Sequence, residues 1–164
     1  MKSIAQKLSF ILLVSASANL ISHTAMAADA PAKDKQAKHA IETRKAAFHL
    51  IATSFKPIGD AVQGKAEFNQ ADIQKRANRI LMLSDFLEAS FPESSNLGKP
   101  DTEASADIWT KRAEFDKKLK DFQEHAATLA KVSATETSAT SAFKEAFGAV
   151  GKDCKGCHDS FKVK

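Results

Sequence analysis

Cysteine is nearly absent from this chain: two residues among 164, with six glycines, four prolines, one tryptophan and no tyrosine. Two cysteines leave no second cluster for a structural zinc, which needs four ligands in paired spacings. A thioredoxin-like redox pair needs a strand–helix–strand setting, and no such pattern occurs. Scarce glycine and proline beside abundant Ala, Lys, Phe and Glu favour helices. Long apolar runs are also lacking. Leu8 to Val14 is largely apolar and Ala16 to Ile21 extends it weakly, but Ser and Asn interrupt it, too short a run to span a bilayer.

That stretch reads as a targeting segment. Lys2 and Lys7 precede it, and Ala25-Met26-Ala27 follows as a small-residue cleavage pattern. Residues 1–27 are expected to be a signal peptide cut after Ala27, with Ala30 as the alternative. The remainder, 28–164, suits one small domain. Loss of Lys2 and Lys7 takes the formal charge from +4 down by two, so the basic balance is no argument for nucleic acid. An exported protein that stays off the membrane follows, periplasmic if the source is Gram-negative.

What is present is concentrated near the C-terminus. Cys154-Lys155-Gly156-Cys157-His158 is C-x-x-C-H, the attachment pattern for a c-type haem. Two thiols can each form a thioether with a porphyrin vinyl group, and the adjacent His can offer an axial nitrogen to the iron. On a helix, positions 154, 157 and 158 share one face. A plain disulfide would leave His158 unexplained.

Helical periodicity predicts four helices. Residues 28–38 read as a solvated, frayed lead. The first helix is expected over 39–63, with a stripe of Ile41, Arg44, Phe48, Ile51, Ala52, Phe55, Gly59 and Val62, a bend at Pro57 and a stop at Gly64. Asn69 can cap a second helix over 70–90, with Ile73, Ala77, Ile80, Ser84 and Leu87 inward. A polar loop over 93–102 leads to a third helix over 105–132, carrying Ile108, Arg112, Phe115, Leu119, Phe122, Ala126 and Leu129. The fourth, over 141–162, presents Phe143, Phe147, Val150, Cys154, Cys157, His158 and Phe161, so the haem motif continues its apolar face. Gly148 and Gly151 would let the backbone pass close to the ring or a neighbouring helix. The expected fold is all-α, an antiparallel up-down four-helix bundle with covalently bound haem c in its interior.

Thr43-Arg44-Lys45-Ala46-Ala47-Phe48, Asp107-Ile108-Trp109, and Phe147-Gly148-Ala149-Val150-Gly151-Lys152 leading into the haem motif resemble the cytochrome c′ family. The resemblance covers nearly all of 28–164. It implies one haem, a periplasmic location, a homodimer through the first two helices, and a five-coordinate high-spin iron. It further implies that Arg44 contacts a haem propionate and that Phe48, four residues on, closes the distal face. Low-spin relatives carry Met where Phe48 stands, and Phe cannot ligate iron. Two positions depart from the family: Lys162 stands where an Arg is common, and Lys45 where Gln is frequent. Lys keeps the charge but lacks the planar fork.

The residues themselves give the same sixth position. Met82 lies off the core stripe of the second helix, and His39, His49 and His125 flank or miss theirs, so each reads as a surface or packing residue; Trp109 reads as bundle packing. Leu50, opposite the first stripe, and Met82 with Phe86 on the outer side of the second helix, support a dimer. A periplasmic electron carrier is the first functional expectation, with the redox partner unspecified. An NO- or CO-binding protein in nitrosative-stress protection or gas handling is the second, since these gases need less polar help than dioxygen does. An enzyme such as a peroxidase needs an acid–base group over the distal face, and the helical wheel places none there.

Overall fold

The computed structural model describes residues 29–164. Five helices carry the fold: α1 Asp29–Val62, α2 Gln70–Phe86, the single turn α3 Asp107–Thr110, α4 Arg112–Ser133 and α5 Ser141–Phe161. Short 3-10 turns at Glu88–Ser90 and Glu93–Ser95 join α2 to α3. Helices α1, α2, α4 and α5 make the four-helix bundle expected from the periodicity. Among the described residues no helix is long and apolar enough to cross a membrane. The leader and its cleavage site lie outside the described residues.

Three boundaries differ from the sequence expectation. α1 begins ten residues early, at Asp29 instead of residue 39. Ala and Lys there are good helix formers, Pro31 falls in the first turn, where its missing N–H costs nothing, and Ala37 is buried. α2 stops at Phe86 and tightens into a 3-10 turn. The third expected helix breaks at Lys111, whose backbone leaves helical values at φ −116° and ψ 43°, so α3 is its detached first turn. The caps hold as read: the Asn69 side chain accepts from the Asp72 N–H at 3.0 Å, and Gly64 ends α1 at φ 70°.

Pro57 does not interrupt α1. A proline leaves the carbonyl four residues back without its helical donor. That carbonyl belongs to Thr53, and Arg76 of α2 reaches it with Nη1 at 3.5 Å.

α2 packs on α1, α4 on α2, and α5 on α4, whereas α1 and α5 scarcely meet. Three sides of the bundle are closed and the fourth is held apart. The expected stripe of α1 divides accordingly. Ile41, Arg44, Ala47, Ile51, Ser54, Ile58 and Ala61 are buried in three- and four-residue steps. Phe48 and Phe55, each one residue beyond a buried position, turn toward the open side.

Of the two glycines expected to permit close approach, Gly148 does not, since an added Cβ would meet nothing within 4 Å, whereas at Gly151 it would lie 3.6 Å from the Phe55 ring of α1; the tightest approach is at Gly59, where a Cβ would come within 3.1 Å of the Phe147 ring. Gly148→Ala is therefore expected to stabilise by about 1 kcal/mol, about 3 °C in Tm. Gly59→Ala should lower Tm, because Phe147 must shift to admit it. Thermal melts of the two holoproteins check both signs.

Candidate haem site

α5 is the most amphipathic helix, and its apolar face ends in the motif. Cys154 and Cys157 are half-buried and carry free thiols. Burial, then the negative charge of Asp153 and the neighbouring Cys157, push the Cys154 thiol up to about 11. Burial likewise raises Cys157. Among the described residues no cluster of His, Cys, Asp and Glu is arranged to hold a bare metal ion.

Both thiols and His158 line a cavity of about 500 Å³ on the open side between α1 and α5. Its opposite wall is Phe48, Ile51 and Phe55 of α1, and Phe115 and Phe122 of α4 close its floor. Phe55 and Phe147 stack across the gap, centroids 4.3 Å apart and 11° from parallel. Phe48 faces His158 at 6.5 Å between ring centroids and 65°. A second cavity of about 520 Å³ adjoins it and shares Phe48, Phe91, Cys157 and His158. Its other lining mixes the apolar Pro100, Ala104, Ile108 and Phe161 with a group of basic side chains, Arg44, Lys45, His49 and Lys162, beside Glu103.

Arg44 is 2% exposed. Nη1 donates to Ser95 Oγ at 2.7 Å and to the Ser90 carbonyl at 3.4 Å. Nη2 donates to Thr102 Oγ1 at 2.7 Å and to the Ser95 carbonyl at 3.3 Å. Its guanidinium carbon lies 4.9 Å from the Phe91 ring centroid. Burial lowers its pKa, though an arginine remains charged. The residue that the resemblance gave to a propionate thus also ties the segment 87–102 to α1, while its charge borders the second cavity. Lys162 pairs with Glu103 at 3.1 Å, and the chain around it is clasped by the Ser105 N–H to Phe161 carbonyl and Val163 N–H to Glu103 carbonyl hydrogen bonds.

The remaining candidates for iron lie where the periodicity put them. Met82 is 64% exposed, outside both cavities. His39 is exposed on α1, within a helix instead of a frayed lead. His125 Nδ1 lies 2.6 Å from Asp153 Oδ2. His49 is exposed but borders the second cavity. Trp109 donates Nε1–H to the Pro92 carbonyl at 3.2 Å and packs on the core. Leu50, Met82 and Phe86 are exposed, as the dimer expectation requires.

The sequence reading did not single out Phe91 or Lys118. Phe91 sits in the loop, where no period marks it. Lys118 borders the first cavity and lies 3.8 Å from where a Gly156 Cβ would be; it reads in sequence as one more solvated lysine.

The residues present fit a c-type haem. The volume and apolar lining are those of a small-molecule site, two unpaired thiols and an imidazole share one wall, and basic groups gather at one end where carboxylates could be received.

Comparison with known proteins agrees. A protein-family model described as Cytochrome C' matches residues 39–162. The structure of cytochrome c prime from Shewanella frigidimarina is similar, with TM-score 0.73 and 40% identity over 78% of this chain and 97% of that one. The nitric oxide complex of a variant of the Alcaligenes xylosoxidans protein aligns at TM-score 0.70 and 28% identity, over 78% and 97%. A cytochrome c′ with ligand-controlled dimer dissociation aligns at TM-score 0.70 and 29% identity, over 78% and 97%.

Proposed function

The chain belongs to the cytochrome c′ family and carries haem c, and from that premise we propose that it is a periplasmic mono-haem electron carrier, made as a precursor whose residues 1–27 are removed and whose domain is 28–164. The observation that carries this reading is the open side of the bundle, where Cys154, Cys157 and His158 face Phe48 across one apolar cavity. Haem c supplies an iron that takes up and gives back one electron and can receive a small gas.

In this reading Cys154 and Cys157 would hold the haem through two thioethers and His158 would offer its iron a ring nitrogen. Phe48 closes the other face without offering a ligand. Arg44 faces a propionate; the buried guanidinium has no carboxylate partner among the described residues, and a buried charge is costly until one is supplied. Phe55, Phe147 and Phe115 give the site an apolar surface, beside which charge interactions are stronger than in bulk water.

Nitric oxide binding is the second role. It is supported by the Phe48 ring, which itself offers no hydrogen-bond donor, and by the nitric oxide complex of the Alcaligenes xylosoxidans relative. Carbon monoxide fits the same surroundings. A homodimer through α1 and α2 is supported by exposed Leu50, Met82 and Phe86 and by the relative whose dimer dissociates under ligand control.

Visible absorption of the purified holoprotein, ferric and dithionite-reduced, tests the core of this. A high-spin spectrum in both states that changes on adding NO is expected. A low-spin spectrum in both states would mean a second protein ligand and would sink the assignment of Phe48.

A further inference from the structure

We infer that Phe91, held under the Arg44 guanidinium, is the brace that sets how readily Phe48 yields to a small ligand. The inference rests on the reading of Phe48 as the residue closing the distal face.

The two rings are held very differently. Phe48 is 38% exposed, and Phe91 is 5% exposed. Phe91 is restrained from three directions. Arg44 lies over one face at 4.9 Å. Phe115 meets it edge-to-face at 4.9 Å and 65°. Its own carbonyl accepts from Arg112 Nη1 at 3.2 Å. Arg44 is in turn fixed by its four hydrogen bonds to Ser90, Ser95 and Thr102. Against this anchored ring Phe48 leans edge-on, with centroids 6.4 Å apart and planes at 61°.

The direction of movement follows. Phe48 borders both cavities, the first of which is the site read as holding the haem, so its ring has to yield away from that site, toward the 87–102 segment. There it meets Phe91, which does not move. Swinging Phe48 aside breaks the aromatic contact, and leaves no room behind it to retreat into. Such a pair changes an equilibrium by about two- to tenfold. Phe91 touches the ligand at no point in this scheme, so it is a positioning residue, and Arg44 acts one step further back.

The test is the carbon monoxide association rate of ferrous holoprotein, by stopped flow, in a double-mutant cycle. Phe48→Ala should accelerate association at least tenfold by removing the obstruction. Phe91→Leu should accelerate it about two- to tenfold when Phe48 is present and leave it unchanged in the Phe48→Ala background. Phe91→Met repeats the measurement with more volume retained, so that a folding failure of one variant does not decide the outcome. Thermal unfolding is measured alongside, because loss of packing at Phe91 lowers Tm equally in both backgrounds. Equal acceleration in both backgrounds, or none with Phe48 present, overturns the brace. No acceleration from Phe48→Ala itself overturns the underlying reading of Phe48 instead.

Discussion

The Cys154→Ala/Cys157→Ala variant is expected to lose all covalently held haem and, with it, most of the bundle's stability. The first loss is chemical: no thiol remains to join a vinyl group, so haem stain on a denaturing gel should vanish. His158 could still hold haem loosely, and for that reason the gel must be denaturing. The second loss follows from where the cavity lies. Without the haem, the apolar side chains that line the cavity lose the partner they pack against. Small domains have only about 5–15 kcal/mol in total. Collapse of α1 onto α5 recovers part of this, since beyond the Phe55–Phe147 stack the two helices have few contacts of their own. The variant should therefore retain helical far-UV dichroism while losing its near-UV signal and sharp melt. Covalent stain surviving in the double variant would refute the assignment of the thiols. A melt as sharp as that of the holoprotein would refute the claim that the cofactor holds α1 and α5 together.

Arg44→Ala is expected to be the most damaging single change away from the thiols, costing about 4 kcal/mol. Four hydrogen bonds end on a buried guanidinium, and their acceptors, the Ser90 and Ser95 carbonyls among them, sit in buried residues. Removing the donor strands these acceptors, and that penalty exceeds the net worth of the bonds themselves. Arg44→Lys should recover little. A single ammonium cannot serve Ser90 and Ser95 through one nitrogen while reaching Thr102 through another. Urea denaturation of the three holoproteins measures it. Faster proteolytic cleavage between 93 and 101 should accompany the loss, since this side chain ties that loop to α1 through Ser95, leaving the exposed Lys45 bond to Asp101. If Arg44→Ala leaves the urea midpoint where it was, the residue serves the cofactor's carboxylate alone and not the segment.

Much of the fold was legible because it depends on short separations. Ile73, Ala77, Ile80 and Ser84 repeat at three and four residues and lie buried in α2 as their spacing requires. The same holds for Phe115, Leu119, Phe122, Ala126 and Leu129 in α4. The Asn69 cap acts over three residues; that of Thr140 on α5 does too, though the sequence reading did not name it. The α1 stripe was harder. Phe48 and Ile51, or Phe55 and Ile58, are apolar neighbours on a helical wheel, and only the arrangement of α2 and α5 tells which packs and which faces the cavity. The N-terminal start was missed for a related reason: Ala, Lys and Gln without a clear stripe look the same in a helix as in a solvated tail.

By itself, then, the sequence determined the helices, their inward faces and the chemistry of Cys154, Cys157 and His158, since covalent spacing along one helix places those three groups together whatever surrounds it. Tertiary structure decided the rest. It set the gap between α1 and α5, put Phe48 across from His158, and brought Phe91 under Arg44 from 47 residues away in the chain. It turned Arg44 from one member of a stripe into the tie for a distant loop, through partners 46 to 58 residues further on. Those contacts depend on how the helices meet, and no local period records which long-range neighbours a buried side chain will find.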